Sequence, residues 1–503
     1  MHPELHGQIG SCWTATAPKT SYPHFDASCA VDVGIVGGGI VGLSTAYLLA
    51  TAGLSVVLLE GRRIGDQVTG RSTAKITTQH ALIYDHLIRT VGMKTAGQYA
   101  EANRLAVEQM RTWIERLPID CDYEAKDAYV YITDAKHISA LEAEAAASRQ
   151  LGLDADVLAI APLPFATAGA LRCKDQAQFN PSRYLVGLAR ACDAAGVRIF
   201  EQSRATDLED GDAWQLSVGD ATLTATHVVQ ATNLPIWGPL AFDEFTRPRS
   251  HTAIAFRTGR NAIEGMFLGI DDHHSLRTGR DAGGRLLVVL GNKFETGQDG
   301  HVSKHFIELE AWSRRNLHVG DAVWRWVNED YDTADRIPYA GELTTAPGLY
   351  VATGFNAWGI SNGTAAAILI AKQILGEAVD WAPAYDPMRE APKDFNKGGD
   401  TQSLVHSLDD IAPGAGRIMP LGQGKVAVYR SVDGALHALS AACTHKGCTL
   451  TWNDADHTWD CPCHGSMFAT DGSVIHGPAV EPLPQKSLPS TWLAKSAHHK
   501  QRL

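Results

Sequence analysis

An apolar run, Val31-Asp-Val-Gly-Ile-Val36, passes without a break into Gly37-Gly-Gly39-Ile-Val-Gly42 and then into Leu43-Ser-Thr-Ala-Tyr-Leu-Leu-Ala50. The order is buried strand, glycine turn, helix. It leaves few folds open, because the helix has to carry the chain over to a second strand parallel to the first. That strand is Ser55-Val-Val-Leu-Leu59, and it ends in Glu60. Gly37 permits the tight turn, Gly39 lets the backbone approach a pyrophosphate, and Gly42 lets the helix settle on the strand, with the N–H groups at Ile40 and Val41 turned to the phosphates. Glu60 stands where a carboxylate accepts hydrogen bonds from an adenosine ribose. A lone G-x-G-x-x-G is weak evidence, and a chance glycine turn is its bland alternative. Two strands, a helix and an acid at the right distance make a dinucleotide site on an α/β sheet. The motif alone does not separate FAD from NAD.

A second signal lies near the C-terminus, in Cys443-Thr-His445-Lys-Gly-Cys448 and Cys461-Pro-Cys463-His464-Gly465-Ser466. Short Cys and His pairs also suit tetrahedral zinc, but zinc ribbons use C-x-x-C pairs, whereas these boxes read C-x-H and C-x-x-H with a spare cysteine each. In this they resemble the Rieske family. The resemblance implies a 2Fe-2S cluster with Cys443 and Cys461 as thiolates on one iron and His445 and His464 as imidazoles on the other. It also implies a disulfide between Cys448 and Cys463 and a hydrogen bond from Ser466 to a cluster sulfur. Gly447 and Gly477-Pro478-Ala479 match the family's flanking loops. Phe468 stands where high-potential members carry a tyrosine that donates to a ligand sulfur. The expected potential is therefore below that of respiratory Rieske proteins, within a window of about −150 to +300 mV.

The rest of residues 31–395 resembles the D-amino-acid oxidase superfamily of FAD-dependent oxidoreductases, of the glycine oxidase and sarcosine oxidase kind, in four segments. Gly65-Asp-Gln-Val-Thr69-Gly70-Arg71-Ser72-Thr73-Ala74-Lys75 is similar to the loop that wraps the flavin. Phe179-Asn-Pro181 introduces an Ala-rich helix and Gly196-Val-Arg-Ile-Phe200, with Ala205 at the position that meets the adenine. His227-Val-Val-Gln-Ala231-Thr232-Asn233 is similar to the strand that returns to the cofactor. Asp335-Arg336-Ile-Pro338-Tyr-Ala-Gly341 and Gly348-Leu-Tyr-Val-Ala-Thr-Gly354-Phe-Asn-Ala-Trp358-Gly359-Ile360-Ser361-Asn-Gly363-Thr364 resemble the closing motif, where a helix N-terminus faces the flavin pyrimidine. The resemblance implies FAD. Relatives with a tethered flavin use a histidine in the first loop or a cysteine near the closing motif; Thr69 to Lys75 has neither and His80 lies beyond it. Non-covalent FAD is expected.

The implied fold is an α/β Rossmann-like FAD oxidoreductase with an α+β substrate lobe, followed by a small all-β Rieske domain. An N-terminal segment, 1–30, precedes FAD-binding parts at about 31–80, 175–240 and 335–380. The substrate lobe takes about 81–174, with helical patterns at Ala96–Leu117 and His137–Leu151, and a strand-rich 245–333. A polar Pro/Gly linker covers 386–403, the Rieske domain 404–490 and a tail 491–503.

With 503 residues the chain can hold two or three domains. Its 44 basic against 56 acidic residues give a net charge of −12, with no basic stripe for nucleic acid. No apolar stretch approaches the roughly 18 residues of a membrane span. Met1-His-Pro-Glu-Leu-His-Gly7 lacks the pattern of a signal peptide, so a cytoplasmic location is expected. Cys12, Cys29, Cys121, Cys173 and Cys192 lack metal spacing and read as small hydrophobes.

Superfamily members remove a hydride equivalent from the carbon beside an amine, and a cluster on the same chain offers the electrons an outlet other than oxygen. The expectation is a dehydrogenase acting on a C–N bond of an amine or amino-acid-like substrate, with an external one-electron acceptor protein or a quinone as partner. Amino-acid-oxidising relatives often place an arginine shortly before the Asp-x-x-Pro motif; here Asn328-Glu-Asp330-Tyr331-Asp-Thr-Ala334 is acidic. That suits a cationic amine or polyamine, with Tyr331, Asp330, Arg336 and Trp358 as candidate contacts. No catalytic base is identified. Two other classes stay open: an NAD(P)H-linked reductase component feeding an oxygenase, against which stands the single dinucleotide fingerprint, and a non-catalytic redox sensor.

Overall fold

The computed structural model describes residues 5–259, 263–298, 301–390, 404–490 and 492. Most of the expected linker and tail lies outside the described residues. The described residues fall into two compact units, one drawn from 1–247, 251–293 and 308–395 and the other from 248–250, 294–307 and 396–503.

In the first unit the apolar run is the strand Cys29–Val36. It lies parallel to Val56–Leu59 on one side and to Ala221–Gln230 on the other, with Val36 opposite both Leu59 and Gln230. Arg198–Phe200 extends the sheet in parallel beyond Val56–Leu59, and Leu349–Thr353 does so beyond Ala221–Gln230, before antiparallel Tyr339–Glu342. Side chains alternate between faces: Val33, Ile35, Val56 and Leu58 enter one core, Val36, Val57 and Leu59 the other. The helix Ile40–Thr51 and the closing helix Gly359–Ile374 pack in the first of these cores. A third helix, Pro181–Ala194, starts with proline in its first turn, and the Asn180 side chain accepts from Arg183 N–H at 3.1 Å.

The second sheet of this unit runs, among the described residues, in the order Gln8–Ile9, Ala322–Thr333, Thr246–Arg257, Gly284–Glu295, Ser275–Asp281, Met266–Gly269, Glu124–Ile132, Gly169–Gln178, Lys75–Ile76, with Ala155–Leu158 beside Gly169–Gln178. Two expectations are corrected here. The stretch 81–174 is not helical throughout: Glu124–Ile132, Ala155–Leu158 and the start of Gly169–Gln178 are strands, whose charged residues on the half-exposed face blur the period-2 pattern. The strand-rich 245–333 contains the helix Val302–Asn316. The helix expected from Ala96 belongs to a helical stretch, Tyr84–Arg116, that Gly92 interrupts at φ 88°. Its start is capped from a distance, as the Glu144 carboxylate accepts Tyr84 N–H at 3.0 Å and Asp85 N–H at 2.9 Å. The N-terminal segment supplies the edge strand Gln8–Ile9 and the helix Cys12–Thr16.

The second unit holds an antiparallel three-stranded meander, Gly416–Leu421, Gly424–Arg430 and Leu436–Ser440, and a small sheet of Thr451–Asn453, Thr458–Asp460, Met467–Phe468 and Val474–His476. Within this unit Asp454 accepts from Ser303 N–H at 2.9 Å and from its hydroxyl at 2.6 Å, at the start of the helix Val302–Asn316.

Candidate functional site

The glycine turn is built for close approach. A Cβ on Gly42 would stand 1.9 Å from the Gly37 carbonyl oxygen, so only glycine lets the helix start so near the turn. Gly39 is the N-cap of Ile40–Thr51 and offers no side chain to the open N–H groups there; Ile40 N–H reaches Thr69 Oγ1 at 3.3 Å. Glu60 is buried and held from both sides, its Oε2 accepting Gly38 N–H and its Oε1 accepting Arg62 N–H, each at 2.8 Å. Burial pushes this carboxyl up, opposed by the two N–H groups and by Arg204. Its remaining lone pairs suit two ribose hydroxyls. Ala205 is buried in the core on the other face of the sheet, with Val57 and Leu59. The Ala231 carbonyl closes on Gly37, and Thr232 turns its hydroxyl onto the Leu234 carbonyl.

The loop expected to wrap a flavin is pinned carbonyl by carbonyl. Ser11 Oγ donates to Gly70 O at 2.8 Å, Trp326 Nε1 to Arg71 O at 2.7 Å and Trp13 Nε1 to Ser72 O at 2.9 Å. Arg277 donates to Thr73 O at 2.9 Å and to Ala74 O at 2.7 Å. Every carbonyl from Gly70 to Ala74 is thus drawn to a distant side chain. Arg277 is fully buried, lies 4.7 Å from the centre of the Trp13 ring, and is lowered to about 10 by burial. Beside it the buried Lys75 donates to Phe267 O at 2.8 Å and Ser275 Oγ at 2.7 Å, and burial, with Arg277 adding, lowers it to about 7. None of Ser11, Trp13 and Arg277 carries a local pattern that points to this role, and sequence reasoning missed all three.

The closing motif returns to the same place. Gly354, Asn356 and Ala357 are left-handed, at φ 74°, 55° and 67°, and turn the chain into Gly359–Ile374. Asp330 holds that turn, accepting Ala357 N–H at 2.7 Å and Tyr331 N–H at 2.9 Å, and burial raises it to about 7. A Cβ on Gly363 would meet Ile40 and Val41 at 3.0 and 3.3 Å, so the two helices begin side by side. Their paired N-termini and the glycine cradle fit the pyrophosphate and electron-poor ring of a flavin dinucleotide. Trp358 is half-buried and stacks on His80, which also contacts Ser361. Tyr331 is fully buried in an apolar cluster with Tyr339 and Leu349, and Arg336 is exposed.

In the second unit the two boxes face each other. The His445 and His464 rings are 5.0 Å apart at 84°. Cys448 and Cys463 form a disulfide, Cα to Cα 6.5 Å. The sulfurs of Cys448, Cys461 and Cys463 lie within 4.8 Å of one another, but two of them are spent in the disulfide, so that trio holds no metal. Cys443 and Cys461 share a hydrogen bond that pulls Cys443 down to about 7 against burial, helped by the N–H of His445, the Ser466 hydroxyl and the N–H of Lys446. The same bond pushes Cys461 up, opposed by the N–H groups of His464 and Cys463. Donors already aimed at both sulfurs fit a pair of iron-bound thiolates. Ser466 Oγ also accepts Ala479 N–H at 3.0 Å, tying the Gly477-Pro478-Ala479 loop over the boxes, and Phe468 is fully buried with Cys443 and Cys461.

Two family models match the chain: FAD dependent oxidoreductase over residues 32–373, and Rieske [2Fe-2S] domain over residues 402–489. A putative Rieske 2Fe-2S iron-sulfur protein, YhfW, of Bacillus subtilis strain 168 is 31% identical over 496 residues, which is 95% of this chain and 97% of that one. The gamma-glutamylputrescine oxidoreductase of Escherichia coli K12 is 27% identical over 73% of this chain and 89% of its own. In fold, glycine oxidase from Geobacillus kaustophilus superposes at a TM-score of 0.59 and 19% identity, over 72% of this chain and all of the other.

Proposed function

The chain belongs to the FAD dependent oxidoreductase family and carries a Rieske [2Fe-2S] domain behind it, and from that premise we propose an amine or amino-acid dehydrogenase that passes its electrons through the cluster to an external acceptor. When bound, FAD supplies hydride acceptance from a carbon beside nitrogen, and the 2Fe-2S centre supplies one-electron transfer. The observation that carries the proposal is the presence of two fitted sites on one chain: paired helix N-termini beside a glycine cradle, and two thiols and two imidazoles around a pre-aimed set of donors.

The residues divide the work. Glu60 and the N–H groups at the start of Ile40–Thr51 bind the dinucleotide. The pinned loop Gly70–Ala74 gives the ring a fixed wall, and the start of Gly359–Ile374 presents N–H groups where negative charge develops on reduction. Arg277, lowered only to about 10, keeps positive charge behind that wall, beside a Lys75 that is lowered to about 7. Asp330 serves by holding the closing turn, and Trp358 remains a candidate substrate contact. Asp330 and Asp332 are taken up by the closing turn and by Lys293, so the preference for a cationic amine over a simple amino acid rests on the Escherichia coli relative, a gamma-glutamylputrescine oxidoreductase. Cys443, His445, Cys461 and His464 hold the cluster, whose outlet makes peroxide formation unnecessary.

Anaerobic mixing of the holoprotein with a panel of amines, polyamines and amino acids tests this. Flavin bleaching followed by cluster reduction, read by absorbance and EPR, is the expected order. Rapid reduction by NADH with no response to any amine would instead make the chain a reductase component.

A further inference from the structure

The polar side chains under the start of the closing helix form one connected hydrogen-bond set. His80 is 2% exposed and lies against Trp358, ring centroids 4.6 Å apart and planes 22° from parallel. Its Nε2 is 3.0 Å from the Thr77 carbonyl oxygen, an atom that can only accept, so Nε2 carries the proton. Nδ1 is therefore an acceptor, and the Tyr99 hydroxyl, 2.5 Å away, donates to it. Asn362 Nδ2 donates to the Tyr99 oxygen at 3.1 Å, while Asn362 Oδ1 accepts from the Tyr385 hydroxyl at 2.8 Å and from Asn103 Nδ2 at 3.1 Å. Every direction in the set is thereby fixed.

The same Nε2–H reaches Ser361 Oγ at 2.9 Å. Ser361 accepts there, so its own proton must go to another atom, and among the described residues none takes it. Nor does bulk water, because Ser361 is 2% exposed. The hydroxyl stands in the first turn of Gly359–Ile374, whose start adjoins the start of the dinucleotide helix through Gly363 and Ile40. A buried donor without an acceptor, at the place where two helix N-termini meet, marks a ligand atom that accepts.

We propose that His80 is a positioning residue for the flavin: as the Nε2–H tautomer it occupies a Ser361 lone pair and turns the Ser361 proton onto the flavin ring, favouring the reduced, negatively charged ring over the oxidised one. A hydrogen bond to a charged acceptor outweighs one to a neutral acceptor, so the added donor acts on the balance between redox states more than on binding itself. His80 stays neutral across the working pH range, and the donor it sets does not switch off with mild acid.

The test is an anaerobic spectroelectrochemical titration of the flavin in the full-length holoprotein, carried out for wild type, Ser361→Ala, Ser361→Thr, His80→Gln and the double variant Ser361→Ala/His80→Gln. Ser361→Ala is expected to move the oxidised-to-reduced ratio at fixed potential about tenfold toward oxidised, or about 30 mV for a two-electron couple. Ser361→Thr, which keeps the hydroxyl, should hold the wild-type value. His80→Gln should move the ratio in the same direction by less, and should add nothing to Ser361→Ala in the double variant. A wild-type potential in Ser361→Ala, or shifts that add in the double variant, would overturn the proposal.

Discussion

His80 is neutral in the folded chain and free to charge once the chain unfolds, and its burial fixes a pH dependence. Its folded value is lowered to about 3 from the usual 6.5, so between those limits the unfolded state binds the extra proton. Stability therefore falls as pH drops below 6.5, by up to about 1.4 kcal/mol per pH unit. His80→Gln should flatten that acid limb in urea midpoints measured from about pH 7 to about pH 4. Asp330 works in the opposite sense. Burial raises it to about 7, so from 3.8 to 7 the folded state is the one that holds the proton, and the contribution to stability is lost as pH rises through 7. Asp330→Asn should remove this neutral limb in the same measurement. At the cluster, Phe468→Tyr should raise the midpoint potential in a redox titration followed by EPR, by restoring a donor to a ligand sulfur. Positions whose expected role rests on their immediate neighbours stand out in the sequence: Gly37, Gly39, Gly42 and Glu60 sit at fixed offsets, and so do the four residues proposed to hold the cluster. The role of His80 is not. Its neighbours in the chain suggest nothing beyond an attachment point, because its partners Tyr99 and Ser361 lie 19 and 281 positions away.

Among elements, the flavin loop shows most clearly where local pattern stops informing. The strand, turn and helix around Gly37 to Thr51 can be drawn from spacing, since each depends on its own periodicity. The loop Gly70–Ala74 has no such periodicity; its path is set by side chains elsewhere that take its carbonyls. Arg277→Lys should weaken FAD binding at least about tenfold in equilibrium dialysis, because an ammonium on a flexible stem cannot span the carbonyls that the planar guanidinium reaches together. The strands Glu124–Ile132 and Gly169–Gln178 escape sequence reading for a related reason. Each mixes lysine, aspartate or glutamate into a face that is only half covered, so alternation survives in burial but not in composition.

For the molecule as a whole, the pairing of an FAD dependent oxidoreductase domain with a Rieske domain is readable from two motifs placed at opposite ends of one chain, while the substrate is not, since no side chain in the described site declares a charge partner by spacing alone. The two sites should be separable by mutation. Cys461→Ser should abolish the Rieske EPR signal and reduction of an external acceptor while leaving anaerobic bleaching of the flavin by substrate within about twofold of wild type. The pinned loop has one more consequence. Its carbonyls wait for Arg277 and Trp326, up to 255 positions downstream, so a chain emerging from the ribosome exposes its dinucleotide turn long before it can close the wall of the flavin pocket. Cofactor capture should therefore come late in biosynthesis, with flavin loosely held on any nascent chain that has not yet delivered Trp326.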